Sequence, residues 1–176
     1  MKDFHSHIDA SKLDAFVGQA VSDLSAGYFG VMISLGDRLG LYRAMAGAGP
    51  LSSREVAGRA GCAERYVREW LGANVAAGYI GHHAVSDTYE LLPEQAFVLA
   101  DPESPAFLPM AWNIPASMWA DEEKTLEAFR TGRGVAWGEH DERLACGVAG
   151  YYRNAYRASL VPQWLPALEG VVEKLE

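Results

Sequence analysis

The segment Trp137-Gly138-Glu139-His140-Asp141 sets a histidine between two carboxylates, with an aromatic ring close by. An imidazole beside a carboxylate can act as a general base with its tautomer fixed, so His140 and Asp141 are the first candidates for proton transfer. The same five residues also make an ordinary polar surface loop, and spacing alone leaves both readings open. Gly132, Gly134 and Gly138 faintly suggest a phosphate loop. No β-run precedes them, no helix start follows and a Lys-Ser/Thr pair is missing, so a lid or turn is expected. No metal site is expected either. His5 and His7 sit in a polar terminus, while His82 and His83 are neighbours on an extended segment and point to opposite faces. Cys62 and Cys146 lie far apart in sequence and suit a reducing compartment better than a disulfide framework.

Aromatic residues are dense from 107 to 164: Phe107, Trp112, Trp119, Phe129, Trp137, Tyr151, Tyr152, Tyr156 and Trp164. They could form a core, or wall a pocket for a flat apolar ligand on a segment broken by prolines. Pro93, Pro102, Pro105, Pro109 and Pro115 require short helices separated by turns. Asp121 to Phe129 reads as one such helix, and helical pattern resumes from Asp141. A last helical stretch is expected from Tyr151, broken at Pro162 and resuming through WLPALEGVVEKLE, with Trp164, Leu165, Leu168, Val171, Val172 and Leu175 on one stripe.

Upstream, residues 51–92 carry the pattern of a helix-turn-helix with a wing. Ser52 and Glu55 have capping-box spacing, Gly61-Cys62 makes the turn, and a second helix runs from Ala63 to Ala77. In that helix Tyr66, Val67, Trp70, Leu71, Asn74 and Val75 recur at helical spacing, and Gly78 fits its C-terminal stop. Tyr79-Ile80 begins a strand that turns near Ser86-Asp87 and returns through Tyr89 to Leu91. Asp9 or Ser11 is expected to cap a first helix over residues 12–26, ended by Gly27. A second apolar helix follows, with Phe29, Met32, Ile33, Leu35, Leu39, Leu41, Tyr42 and Met45 spread around it. Such a helix needs burial on most sides, which a small domain supplies most simply by sharing its N-terminal helices in a homodimer.

Charge argues against the duty that this outline advertises. Residues 51–92 hold Arg54, Arg59, Arg65 and Arg68 against Glu55, Glu64, Glu69, Asp87 and Glu90, so four minus five gives −1. The whole 176-residue chain carries −8. DNA affinity comes mainly from neutralised phosphates, so DNA is not an expected partner. A winged-helix transcriptional regulator remains the alternative reading. With 49% hydrophobic and 22% charged residues the chain has the composition of a globular protein. No apolar run approaches the ~20 residues that span a bilayer, and the polar N-terminus is not a signal peptide. A cytoplasmic protein with no membrane contact is expected.

The run GDRLGLYRAMAGAGPLSSREVAGRAGCAERYVREWLGANVAAGYI resembles the N-terminal winged-helix region of bacterial, actinobacterial-type class I S-adenosylmethionine-dependent methyltransferases. The resemblance continues through LPEQAFVLADPESPAFLPMAW, EAFRTGRGVAWGEHD and YRASLVPQWLPALEGVVEKLE. It implies a mainly α fold: a winged helix-turn-helix with extra N-terminal dimerisation helices and a C-terminal helical cap and linker. Residues 1–98 would form the dimerisation domain and 99–150 the substrate cap. Residues 151–176 would link to a Rossmann-like domain whose first strand and glycine-rich loop the sequence does not reach. The resemblance places His140 and Asp141 at an acceptor pocket walled by Trp112, Trp119 and Trp137, and Tyr156 and Arg157 near the cofactor. It implies S-adenosylmethionine and a small-molecule methyl acceptor for the parent enzyme. Tight cofactor binding or catalysis by this chain alone is not expected. A stand-alone small-molecule-binding protein derived from the cap is a further alternative.

Overall fold

The computed structural model describes residues 7–175; His5 lies outside them. The chain is mainly helical, as the sequence pattern requires. Helix α1 spans Ala10–Arg38, α2 Leu41–Met45, α3 Ser53–Ala60 and α4 Glu64–Ala76. Strands β1 (Gly81–His83) and β2 (Thr88–Glu90) follow, then α5 (Pro93–Leu99), α6 (Asn113–Ala120), α7 (Glu122–Thr131), α8 (Glu142–Ser159) and α9 (Val172–Leu175).

One expectation fails at once. The two N-terminal helices expected around Gly27 are a single helix, α1, about 43 Å long. A glycine ends a helix only where the chain turns left-handed; Gly27 does not, and it meets nothing within 4 Å. The apolar period runs straight through it. Leu13, Val17, Val21, Leu24, Tyr28, Val31 and Leu35 recur every three or four residues, and all are exposed. Asp9 supplies the cap, its Oδ1 accepting the amides of Ser11 at 2.9 Å and Lys12 at 3.2 Å. Burial in α1 begins only at Gly30, so among the described residues its first half is not packed into the protomer.

From Gly30 onward the helix enters the core of the winged domain. Ile33, Leu41, Tyr42, Met45, Val56, Val67, Trp70 and Leu71 close around one another. Gly36 is the tightest point: a Cβ there would collide with the Tyr42 ring and lie 2.6 Å from that of Trp70. Buried polar atoms are paired. The Tyr42 hydroxyl donates to Asn74 Oδ1 at 2.8 Å, Asn74 Nδ2 donates to the Trp70 carbonyl, and Trp70 Nε1 donates to the Met32 carbonyl. Tyr66, which shares the helical spacing of α4, is exposed.

The local signals of the winged motif hold. Ser52 and Glu55 form the reciprocal capping box, and Gly61 and Gly78 take left-handed φ values of 65° and 77° at the helix ends. β1 and β2 pair antiparallel, His82 opposite Tyr89, and Leu51 adds a bridge through two backbone bonds to Tyr89 at 2.8 and 2.7 Å. The strand starts at Gly81 rather than at Tyr79-Ile80.

Past the wing, Pro93 opens α5, and Pro109 opens a 3-10 turn, Pro109–Trp112, that runs into α6. Helix α8 lies across this segment at close range. Cβ atoms at Gly147 and Gly150 would come within 2.8 Å of Ile114 and 2.5 Å of Met110. Asp141 caps α8, so the helical pattern expected from Asp141 begins at Glu142 and runs without a break into the stretch expected from Tyr151. Pro162 sits in a wide π-helical turn, Leu160–Trp164, which accommodates its missing amide. The expected stripe from Trp164 to Leu175 is not a continuous helix. Pro166 and the left-handed Gly170 (φ 68°) interrupt it, and only Val172–Leu175 is helical.

Candidate functional site

Helices α6, α7 and the start of α8 enclose an open cavity of about 720 Å³. Its walls are apolar: Met118, Trp119, Leu126, Phe129 and Leu144. Trp119 and Phe129 are 74% and 88% exposed, so these walls face outward rather than into a core. Ser117, Glu122 and Thr125 add polar groups to the lining, and His140 meets the buried Asp121 at it.

No motif or spacing in the sequence singles out Asp121. It joins α6 to α7, and it is 3% exposed. An isolated carboxylate at that depth would be costly; this one is fully partnered. Oδ1 accepts Lys124 Nζ at 2.7 Å, and Oδ2 accepts the Asp141 backbone N–H at 2.9 Å, with His140 Nδ1 also at 2.9 Å. Lys124, then the Asp141 amide and His140, hold the Asp121 carboxyl well below the usual range, against the opposing effect of burial. The carboxylate is therefore ionised and can only accept, so His140 donates through Nδ1–H. In the neutral ring Nε2 is then the free acceptor, which is the arrangement a general base requires. Lys124 also donates to the Glu139 carbonyl at 2.5 Å and fastens the loop that carries His140 to α7.

The other residues singled out from sequence divide around this cavity. Trp119 lines it; Trp137 does not, but its ring lies edge-on to His140 with centroids 6.3 Å apart. Trp112 packs against Gly30 beside the winged core, away from the cavity wall. Asp141 is engaged as a helix cap: its Oδ1 accepts the Arg143 amide and Nε, and its Oδ2 accepts Nη2 at 3.0 Å. Arg143 holds the Asp141 carboxyl below the usual range. Tyr156 stands edge-on to Trp164, and Arg157 pairs with Glu103 at 2.6 Å on the surface. Of the loop of Gly132, Gly134 and Gly138, the first ends α7 at a left-handed φ of 72°, and no group of three His, Cys, Asp or Glu among the described residues is arranged to hold a metal ion. No helix among them is long and apolar enough to cross a membrane.

On α4, the helix that would enter a DNA groove, the cations are spoken for. Arg68 forms two bonds to Glu64, at 2.9 and 2.7 Å, and Arg65 pairs with Glu69. The Ser53 hydroxyl and Arg68 keep Glu64 ionised. On the wing, His82 and His83 are each paired with a carboxylate, Asp87 and Glu90, at 3.0 and 2.9 Å.

These features define a winged helix-turn-helix domain followed by an all-helical region with a largely apolar cavity. Residues 27–101 match the Rv2258c-like winged HTH domain. Solved structures share the wider fold. PigF with SAH aligns over 86% of this chain and 48% of its own at 14% identity, with a TM-score of 0.62. The mitomycin 7-O-methyltransferase MmcR aligns over 85% and 47% at 20% identity, with a TM-score of 0.61. An O-methyltransferase family protein from Burkholderia thailandensis aligns over 87% and 44% at 15% identity, with a TM-score of 0.53. The chain thus spans slightly under half the length of these structures, and the shared part is their N-terminal half. No curated protein matches the chain.

Proposed function

We propose that this chain is the dimerisation and acceptor-capping region of a small-molecule O-methyltransferase that uses S-adenosylmethionine. One observation carries the reading: a fold shared with the N-terminal half of O-methyltransferase structures holds an apolar cavity with an oriented His–Asp pair at its polar edge. A hydroxyl entering that cavity meets His140 Nε2, which takes its proton, while Asp121 holds the ring and stabilises the imidazolium that forms. The apolar walls keep water from the acceptor once covered.

In this proposal the cofactor's own pocket is not assigned to the described residues. Their one sheet is a two-stranded antiparallel hairpin, with no parallel strand leading into a glycine-rich turn. Arg157 would have to release Glu103 to meet the cofactor's carboxylate, an exchange that an exposed ion pair permits. Tyr156 and Arg157 therefore stay in the proposal as the cap's approach to the cofactor, not as its pocket.

The exposed stripe of α1 supports the dimer. A helix whose first half is not packed into the protomer among the described residues is marginal alone, and a second copy laid along Val17, Val21, Leu24, Tyr28 and Val31 would bury it. Paired arginines on α4 and a net charge of −8 disfavour the regulator reading. Sedimentation equilibrium tests the assembly, with a dimer expected for the native chain and a monomer for the double variant Val21→Glu, Leu24→Glu. A native monomer, or duplex DNA binding with a steep salt dependence, would overturn it. For the enzyme, a labelled methyl group should pass from S-adenosylmethionine to 1-naphthol when a cofactor-binding half is joined to the chain, and far more slowly with His140→Ala. Equal rates would remove His140 from the reaction.

A further inference from the structure

Away from the cap cavity, a second cleft of about 310 Å³ opens where the end of α1 meets α2 and α8. Three guanidinium groups converge on it: Arg38 from the last turn of α1, Arg43 from α2 and Arg153 from α8. Among its lining residues Asp37 is the sole carboxylate, so three minus one leaves +2 inside a chain of −8. Arg43 is already fixed, its Nη1 on Asp37 Oδ1 at 2.9 Å and its Nη2 on the Asp37 carbonyl at 2.7 Å. Arg38 and Arg153 form no ion pair among the described residues, whereas Arg65, Arg68, Arg143 and Arg157 each hold a carboxylate. Phe107 and Met110 supply an apolar floor beside the charges. Two hydrogen bonds brace the frame: Asn154 Nδ2 ties α8 to the carbonyls of Pro102 and Ser104 at 2.8 and 2.7 Å.

We propose that this cleft binds the phosphate monoester of a small apolar alcohol. A monoester is close to a dianion at neutral pH and matches the local excess of two charges. Guanidinium groups recognise its oxygens through paired, charge-assisted hydrogen bonds, and the apolar body rests on Phe107 and Met110. Because Arg38 and Arg43 belong to the winged domain and Arg153 to the cap, the occupant also clasps the two parts together. The site is separate from the His140 cavity, so it stands or falls independently of methyl transfer.

Phenyl phosphate is a suitable probe, titrated by calorimetry at low salt beside inorganic phosphate and benzoate. Saturable binding is expected, tightest for phenyl phosphate because it offers both the dianion and the ring. Arg38→Gln and Arg153→Gln should each weaken it about tenfold or more, a loss typical of a charged hydrogen bond, while Arg133→Gln on the distant loop leaves it unchanged. Both cleft arginines are exposed, so the variants should fold, which unchanged thermal melting would establish. Vesicles of phosphatidylcholine with phosphatidic acid should not sediment the protein, since the cleft is narrow and the chain is acidic overall. Absence of saturable binding, an equal loss in Arg133→Gln, retained affinity in both cleft variants, or binding to the vesicles alone would overturn the proposal.

Discussion

The winged domain and the helical region proposed as a cap use the same residue types to opposite ends. In the former, Trp70 is 4% exposed, edge-on to Tyr42 and hydrogen-bonded to the Met32 carbonyl. In the latter, Trp119 is 74% exposed along a cavity, and α7 buries no residue at all. Carboxylates reverse in the other direction. On α4 the acids Glu64 and Glu69 lie outside, neutralising arginines, whereas Asp121 in the cap is buried and holds a histidine. One region is stable through its own core. The other keeps its apolar surface open, and its buried polar group orients a side chain at the cavity edge.

Substituting the two tryptophans sharpens the contrast most. Trp70→Ala should cost roughly 3–5 kcal/mol of stability in urea unfolding. Trp119→Ala should change it by under about 0.5 kcal/mol while weakening binding of a flat apolar probe. Similar costs for both would mean that the cap has a core of its own. Asp121→Asn comes next. The folded-state value of Asp121 is depressed, so its contribution is present above the ordinary aspartate value near 3.8 and is lost as pH falls through the lower folded value. The variant should therefore flatten the steepest acid limb of stability, below about pH 4, which acid titration of the circular dichroism signal would reveal. A limb that stays as steep would place the sensitive carboxylate elsewhere. The smallest effect is expected at Gly27. Alanine there meets no neighbour and should stabilise α1 by up to about 1 kcal/mol, whereas the same change at Gly36 forces a clash with Tyr42 and Trp70.

Signals carried by neighbouring residues were the legible ones. Ser52 with Glu55, Gly61, Gly78 and the spacing Val67, Trp70, Leu71, Asn74 all concern one turn of chain, and each matches the structure. Gly27 misled because glycine marks a stop only when φ turns positive, and the apolar residues after it keep the chain helical. The stripe from Trp164 to Leu175 misled for a related reason, since its spacing ignored Pro166 and Gly170. His140 was readable as a candidate base from its own neighbours. Its true partner was not, because Asp121 lies 19 residues away and reaches it only through the packing of α6, α7 and α8. The adjacent Asp141, the obvious partner by sequence, turns instead to capping α8 and to Arg143.

In the proposed reaction His140 donates Nδ1–H to Asp121 and presents Nε2 to an acceptor hydroxyl. Nitrogen-15 NMR of the histidine side chains, recorded while 1-naphthol and then naphthalene are added, reads it directly. The expected result is the Nδ1–H tautomer of the unprotonated ring, a shift of the His140 Nε2 resonance with 1-naphthol, and none with naphthalene. The opposite tautomer, or identical responses to both compounds, would contradict it.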